Sequence, residues 1–265
     1  MSRDLRNELN KALPANYHCQ LGTLIEEMIN TFNYSGNKPT KQSLGTPAVG
    51  STNALISAAT STEVPNNATI TYTGLTDNTS PLDGSIAAPT TILMNNGTQA
   101  LVYSLDSARN VSAVVTATAV AAMTITLNGY DINKNSLQEI LTIPGSTASR
   151  TVAGLKAFKY LESFVLTSAV DATGNTVNLG YGEVLGLPFI LTEKSGLLQT
   201  WFNQVVEATV PTVVVADTSA VTATTGDPRG TIDLSTTLNG SAVSVWMQGG
   251  SDYLALRQVV PLSLR

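Results

Sequence analysis

Residues 123 to 143 of the chain are MTITLNGYDINKNSLQEILTI, and this stretch carries its clearest structural pattern. Met123, Ile125 and Leu127 alternate with threonines, so they point to one side of an extended strand. After a polar segment, three apolar residues share one face of a second strand, namely Leu137, Leu141 and Ile143. The pattern predicts two antiparallel strands joined by the tip NGYDINKN, residues 128 to 135.

The tip carries oxygen-bearing side chains at alternate positions, Asp131, Asn133 and Asn135, as a calcium loop does. An EF-hand needs Gly at its sixth position, where this chain has Ser136, and a bidentate Glu at its twelfth, which is also lacking. Glu139 offers a further oxygen but lies on the following strand. We therefore predict a plain hairpin tip, with weak calcium binding near Asp131 as the alternative.

The pattern of short strands extends from about residue 54 towards the C-terminus. Asn96-Gly97 and Asn239-Gly240 lie between apolar runs, and Asn-Gly favours the positive φ angles of a tight hairpin turn. Many short strands separated by turn residues are typical of sandwiches and jelly rolls. We predict an all-β fold, an antiparallel β-sandwich or jelly roll over residues 51–265, with an N-terminal helical arm.

The arm is predicted from an apolar stripe at helical spacing in the segment LGTLIEEMINTF. The stripe consists of Leu21, Leu24, Ile25, Met28, Ile29 and Phe32. Residues 33 to 51 are polar and rich in Gly, Pro and Asn, which predicts a linker, so residues 1–50 form the arm and linker. The stripe packs either on the β core of its own chain or on a neighbouring subunit.

Composition limits the classes of function. Charged residues make up 12% of the chain, against roughly 25% in an average protein, while 43% are apolar. A surface with few charges is poorly protected against association, which indicates either a protein that contacts other protein or a secreted or merely Thr-rich soluble domain. The net charge of −5 and the scattered Lys and Arg argue against nucleic-acid binding. The charged N-terminus is unlike a signal peptide, and no apolar run is long enough to predict a membrane span.

Candidate catalytic groups are few. His18 and Cys19 are the only residues of their types, which argues against a Ser-His-Asp or Cys-His mechanism and against a typical zinc site. Asp171, Glu183 and Asp227 are carboxylates that a glycoside hydrolase could use, but nothing in the sequence fixes their spacing. We predict no enzyme, no cofactor, no metal and no small-molecule substrate.

Two close Asp–Arg pairs remain. Asp227 and Arg229 lie in TTGDPRGTIDL, where Gly and Pro residues fix the turns, and Asp106 and Arg109 lie in SLDSARN. Such pairs form local ion pairs or loop clamps, or they contact a partner subunit. We take Asp227 and Arg229, together with the apolar stripe, as the candidate partner contacts.

Six motifs in order give the chain a resemblance to a known group. They are PLDG (81–84), DSARNV (106–111), TITLNGYDINKNSLQEILTIPG (124–145), GLKAFKYLESFVLT (154–167), NTVNLGYGEVLGLPFIL (175–191) and TGDPRGTIDLSTTLNGS (225–241). The ordered set, which covers residues 80 to 241, resembles virion structural proteins of tailed bacteriophages.

The resemblance implies a capsid decoration, or cement, protein on the outer surface of the phage head, made in the host cytoplasm. Such proteins are β-rich and often trimeric, and they bind the major capsid protein. The expected partners are therefore the major capsid protein and further copies of this chain. The alternatives are a neck, tail or head-fibre protein, or a carbohydrate-binding or depolymerising β protein.

Overall fold

The structure, a computed structural model, describes residues 39–60, 69–73, 90–95, 97–116, 120–168, 175–218 and 222–248. Within these ranges the chain is almost wholly antiparallel β, and the only helical element is a short 3-10 turn, Lys194–Gly196. The all-β prediction is confirmed. The predicted arm and its stripe, residues 21 to 32, lie outside the described residues.

Fourteen strands form two sheets in the described part of the chain. They are β1 (Pro39–Gly45), β2 (Ser51–Thr60), β3 (Thr69–Thr73), β4 (Thr90–Leu93), β5 (Gln99–Thr116), β6 (Met123–Tyr130), β7 (Ser136–Ile143), β8 (Arg150–Ser168), β9 (Thr176–Gly186), β10 (Leu197–Phe202), β11 (Val205–Val206), β12 (Thr212–Val214), β13 (Thr231–Asp233) and β14 (Val243–Gln248).

The larger sheet has ten strands and curls into a half-barrel. Its main order is β12-β13-β9-β5-β8-β6-β7, while β2 pairs with β9, β3 with β8 and β4 with β5. Strands β5 and β8 are 18 and 19 residues long and change partner along their length. Register shifts at Arg109 and Asn110 bend β5, because an unmatched residue locally increases the twist of a strand.

The hairpin predicted from residues 123 to 143 is confirmed. Strands β6 and β7 pair in continuous register from Met123↔Ile143 to Tyr130↔Ser136. The apolar residues at alternate positions of both strands are buried in one apolar cluster. The Asn-Gly hairpin between β4 and β5 is also present, with Gly97 at φ +80°.

The smaller sheet has the order β1-β14-β10-β11. Its inner face packs Val243, Val245 and Met247 against a second apolar cluster, which includes Leu185 and Ile232 from the larger sheet. Strand β1 lies inside the segment predicted as a linker, so that prediction is wrong for residues 39 to 45. The polar residues of β1 occupy an edge strand, where one face is solvated and alternation of apolar residues is not required.

The second predicted hairpin is also wrong. Gly240 has φ +85°, so a turn exists at Asn239-Gly240. The strands on either side, however, do not pair, because β13 belongs to the larger sheet and β14 to the smaller one. The Gly240 amide donates to Pro47 O at 2.8 Å, which ties this crossing segment to the connection between β1 and β2.

Candidate functional site

Three of the charged residues singled out in the sequence, Asp131, Asp227 and Arg229, lie near one edge of β8. Strand β5 pairs Ser112 with Ala153 but Asn110 with Ala157, so residues 154 to 156 of β8 form a bulge. The bulge turns the amides of Leu155 and Lys156 away from the regular ladder and towards β7. Five buried side chains surround this edge, and we call them the charged seam: Asp131, Glu139, Lys156, Asp227 and Arg229.

Glu139 of β7 accepts hydrogen bonds at the bulge. Its Oε1 atom accepts from Leu155 N at 2.5 Å and from Lys156 N at 3.2 Å. Its Oε2 atom is buried and has no partner within the described part of the chain. A Cβ at Gly154 would lie 2.4 Å from this oxygen, so the close approach requires glycine.

Burial raises the pKa of Glu139 to about 7, since a carboxylate loses solvation inside the protein. The hydrogen bonds from Leu155 and Lys156 oppose this effect, as does the positive charge of Lys156, whereas Asp227 adds to it. Glu139 therefore has a pKa close to neutral pH at a buried position between β7 and β8. Its protonation state affects the contact between these two strands.

Asp227 binds the next amide along the same edge of β8, that of Ala157. Its Oδ2 atom accepts from Ala157 N at 2.8 Å, and its Oδ1 atom accepts from Arg229 N at 2.8 Å and Gly230 N at 2.9 Å. Burial raises its pKa and these three hydrogen bonds lower it. Three successive amides of β8 are thus bound by side-chain carboxylates, which seal an edge where β8 has no strand partner.

Lys156 binds the loop that precedes Asp227. Its side chain is fully buried, and Nζ donates to Thr222 O at 2.5 Å and to Thr225 Oγ1 at 3.2 Å. Burial lowers the pKa of Lys156, while Glu139 and Asp227 act in the opposite direction. The cation therefore lies near the carboxylates of Glu139 and Asp227 and holds residues 222 to 225 against β8.

Arg229 joins this loop to the hairpin tip. Nε donates to Leu187 O at 3.2 Å, and Nη2 donates to Pro188 O. With its amide oriented so that the oxygen faces the guanidinium, Asn133 accepts from Nη1 at 2.8 Å and Nη2 at 2.7 Å. Asp131 Oδ2 lies 3.7 Å from Nη1. The guanidinium thus holds the tip of the β6–β7 hairpin to the segment after β9.

Asp131 organises the tip itself. Its Oδ1 atom accepts from the amides of Asn133 at 2.8 Å and Asn135 at 2.9 Å, and Oδ2 accepts from Asn135 Nδ2 at 3.0 Å. These are the contacts of an Asx turn, with Lys134 at φ +63°. Across the described ranges no group of three or more His, Cys, Asp or Glu is placed to hold a metal ion.

The second Asp–Arg pair forms a separate clamp at the bend of β5. Arg109 Nη1 lies 3.0 Å from Asp106 Oδ2, and Nε and Nη2 donate to Gly182 O at 3.0 and 2.6 Å. The guanidinium also lies 4.3 Å from the ring centroid of Tyr181. Asp106 Oδ2 accepts from Ala48 N at 2.7 Å, so this clamp ties the β1–β2 connection to the larger sheet.

The remaining candidates are not assembled into one site. Glu183 accepts from Gly50 N at 3.3 Å and Leu238 N at 3.4 Å, whereas Asp227 binds β8 and its own loop. Asp171, His18 and Cys19 lie outside the described residues. Asp227 and Arg229 are 4% and 6% exposed and contact their own chain, so the loop-clamp interpretation explains their geometry. Their contact with a partner stays a prediction.

The sequence interpretation missed two features. Glu139 takes the inward position between Leu137 and Leu141, and this parity was a usable signal because a carboxylate on an apolar face needs internal partners. Lys156 is one of the most deeply buried side chains, yet the surrounding segment GLKAFKY carries no local sign of its partners.

Exposed apolar side chains concentrate between residues 198 and 214, which run from the edge of the smaller sheet to β12 of the larger one. We call five of them the valine edge: Leu198, Val205, Val206, Val210 and Val214. They surround or adjoin a groove of about 580 Å³ between β10, β11 and residues 207 to 213. Val210 is 86% exposed. An apolar concentration of this kind at a sheet edge is typical of a surface that contacts protein.

Comparison with known protein families, with curated proteins and with solved structures found no match to this chain. A search of the described residues for helices long and apolar enough to cross a membrane also found none.

Proposed function

We propose that this chain is a non-enzymatic structural protein of a tailed-phage virion, and specifically a decoration protein that binds the outside of the head and stabilises it. Its partners would be the major capsid protein and further copies of the chain, in a trimer. The sandwich or jelly-roll architecture and the N-terminal helical arm belong to the same proposal.

The observation that carries this proposal is the role of the motif residues. Asn133, Ala157, Pro188 and Arg229 come from four different motifs of the resemblance, and each takes part in the charged seam or its contacts. Their polar groups bind backbone or side chains of the same chain. The motifs therefore contribute contacts that hold the fold together, as the proposed structural role requires.

The valine edge supports the choice of a protein partner. Lys194 and Glu207 are the two charged residues that line its groove, beside exposed apolar side chains such as Leu198 and Val210. Burial of apolar surface drives association at about 25 cal/mol per Å² before the costs of binding are subtracted. A trimer in which each copy binds one capsid site would bind more tightly than a single copy, because the first contact raises the effective concentration for the other two.

The first experiment is the solution mass of the purified chain, by size exclusion with light scattering at two concentrations. A stable species near three times 27.7 kDa supports a decoration trimer. A ring of six or twelve subunits favours the neck or tail instead. A strict monomer limits the proposal to subunits that assemble on the capsid itself.

The second experiment locates the protein on the particle. Antibodies against the purified chain are applied to intact particles of the phage that encodes it, and bound gold is imaged by negative-stain microscopy. Label over the whole head supports the proposal. Label confined to the neck, tail or fibres replaces it with the alternative location, and particles without the protein contradict a virion role.

A further inference from the structure

The groove beside the valine edge runs along a side of β10 that β11 covers only in part. Strand β11 pairs with Trp201 and Phe202, and Glu207 N adds one hydrogen bond to Thr200 O at 3.0 Å. After this point the chain turns away and joins the larger sheet through β12. Within the described ranges, residues 197 to 199 therefore have no strand on this side. An unpaired strand edge of this kind can accept a further strand.

The groove is mostly apolar, with one charge towards each end. Residues 207 to 213 form the wall opposite Leu197 and its neighbours in β10. Lys194 precedes the start of β10, whereas Glu207 lies beside Thr200, three residues after that start. A matching segment therefore has apolar side chains in its middle, an acidic residue at the lysine end and a basic residue at the glutamate end.

Strand β14 ends beside the lysine end of this groove. Met247 of β14 pairs with Leu197, the first residue of β10, and β14 ends at Gln248. Residues 249–265, which we call the C-terminal tail, follow at once and lie outside the described residues. The tail therefore starts at the end of the smaller sheet where the groove begins.

The spacing allows the tail to enter the groove. The groove lies on the far side of β10 from β14, which is two strand spacings, or about 10 Å. The residues between Gln248 and Asp252 are Gly-Gly-Ser, and this stretch spans about 13 Å when extended. Glycine tolerates the backbone angles that a sharp change of direction requires.

The tail also has the sequence that the groove requires. Residues 252 to 257 are DYLALR. Leu254 and Leu256 alternate with other residues, so they share one face of an extended segment. Asp252 precedes these leucines and Arg257 follows them. A tail that enters from the end of β14 presents its acid, its leucines and its base in the order that the groove needs.

The apolar stripe of the predicted arm fits the groove less well. Residues 21 to 32 contain two glutamates and no Lys or Arg, so they leave Glu207 without an opposite charge. The tail of a second copy has the right sequence, but it must be recruited from solution. The chain's own tail is tethered beside the groove, and a short tether gives a high effective concentration.

We propose that residues 252 to 257 dock in the groove of their own chain as a further strand, parallel to β10. The contacts are Asp252 with Lys194, Leu254 and Leu256 with the apolar walls, and Arg257 with Glu207. Val210, which is 86% exposed, stays on the rim and is still available to a neighbouring copy. The inference does not depend on a virion role.

The first test is hydrogen exchange of the full chain, read by mass spectrometry and compared with the variant Leu256→Asp. We expect the amides of residues 197 to 200 and 252 to 257 to exchange at least about tenfold faster in the variant. The β6–β7 hairpin is the internal control and should exchange equally in both proteins. Equal exchange of the two test segments overturns the proposal.

The second test separates docking within one chain from docking between copies. Leu198→Cys and Leu254→Cys are combined in a chain whose only native cysteine is replaced by Cys19→Ser. In a glutathione redox buffer, we expect a monomer with an internal disulfide on a non-reducing gel. A disulfide-linked dimer, or no disulfide, overturns the proposal. Leu93→Cys, at an exposed position of the larger sheet, replaces Leu198→Cys as the control and should form no disulfide with the tail.

A charge reversal tests the direction of the docked tail. Added to the cysteine pair, Glu207→Lys should slow disulfide formation about two- to fivefold, as expected for an exposed ion pair. Arg257→Glu added to Glu207→Lys should restore the original rate. A rate that does not respond to these charges overturns the docking as proposed, because a tail that only passes near the groove would behave in this way.

Discussion

The charged seam and the valine edge lie on different parts of the protein and use their side chains in opposite ways. In the seam, Glu139, Lys156 and Asp227 are buried and bind the backbone of the same chain. At the edge, Val205 and Val210 are exposed. Charged side chains ordinarily lie on a solvated surface. In the seam they lie inside the protein and hold segments of the backbone together.

The difference follows from the shape of the two sheets. The larger sheet curls, and at the β8 bulge it leaves amides that no neighbouring strand accepts, so carboxylates must accept them. The inner face of the smaller sheet is instead filled by apolar side chains, among them Val243, Val245 and Met247. Beside it lie the exposed apolar side chains of the valine edge. Four changes test this contrast, from the largest expected effect to the smallest.

Asp227→Ala should have the largest effect. It leaves the amides of Ala157, Arg229 and Gly230 without their acceptor in a buried site. We expect a loss of about 3–5 kcal/mol in the free energy of unfolding, measured by urea denaturation followed by circular dichroism. Asp227→Asn keeps one acceptor oxygen and should lose less. A loss below about 1 kcal/mol for the alanine variant would contradict the role of Asp227 in holding its loop to β8.

Glu139→Gln should change how stability depends on pH. The pKa of Glu139 is raised to about 7 in the folded protein, from an ordinary value of 4.5. A raised pKa means that the folded state holds the proton more tightly, so this contribution to stability is full below pH 4.5 and is lost as pH rises through 7. Glutamine carries no charge and avoids this loss.

The variant should therefore gain on the unmodified protein by about 2–3 kcal/mol between pH 5 and pH 8. Urea denaturation at both pH values measures the difference. Glu193→Gln, at an exposed position beside the 3-10 turn, is the matched control and should gain little. A Glu139→Gln difference that stays constant with pH would contradict the buried titration.

Asp106→Ala tests whether solvent exposure determines how much stability is lost when a carboxylate that binds the backbone is removed. Asp106 holds Ala48 N and Arg109, as Asp227 holds β8, but its side chain is 30% exposed. Water can replace part of what is lost, so we expect a loss of about 1–2 kcal/mol, clearly smaller than for Asp227→Ala. Equal losses in the same urea assay would show that burial is not the deciding difference.

Val210→Ser should change stability by less than about 0.5 kcal/mol, because the side chain is already in solvent. Its effect should appear in association: the variant should shift the solution mass towards the monomer in light scattering. Val49→Ser, at an exposed valine outside the edge, should leave the mass unchanged. An unchanged mass for Val210→Ser would remove the valine edge from self-association.

The sequence was most informative where the structure depends on neighbours along the chain. The parity of Met123, Ile125 and Leu127 gave the β6–β7 hairpin and its buried face correctly. Asn-Gly gave the turn before β5, but at residues 239 and 240 the same dipeptide lies between strands of different sheets. A local turn preference sets the backbone angles of a few residues and does not select the partner of the next strand.

By itself, the sequence determined the all-β class of the described residues, their strand periodicity and the shortage of charge, because these depend on composition and on side chains a few residues apart. The tertiary structure alone decided which groups meet. Ala157 and Asp227 are 70 residues apart in the sequence, yet the Ala157 amide donates a hydrogen bond to the Asp227 carboxylate. Trp201 and Trp246 share a face only because β10 pairs with β14 in a particular register. Such contacts arise from the simultaneous packing of distant strands, which no local pattern specifies.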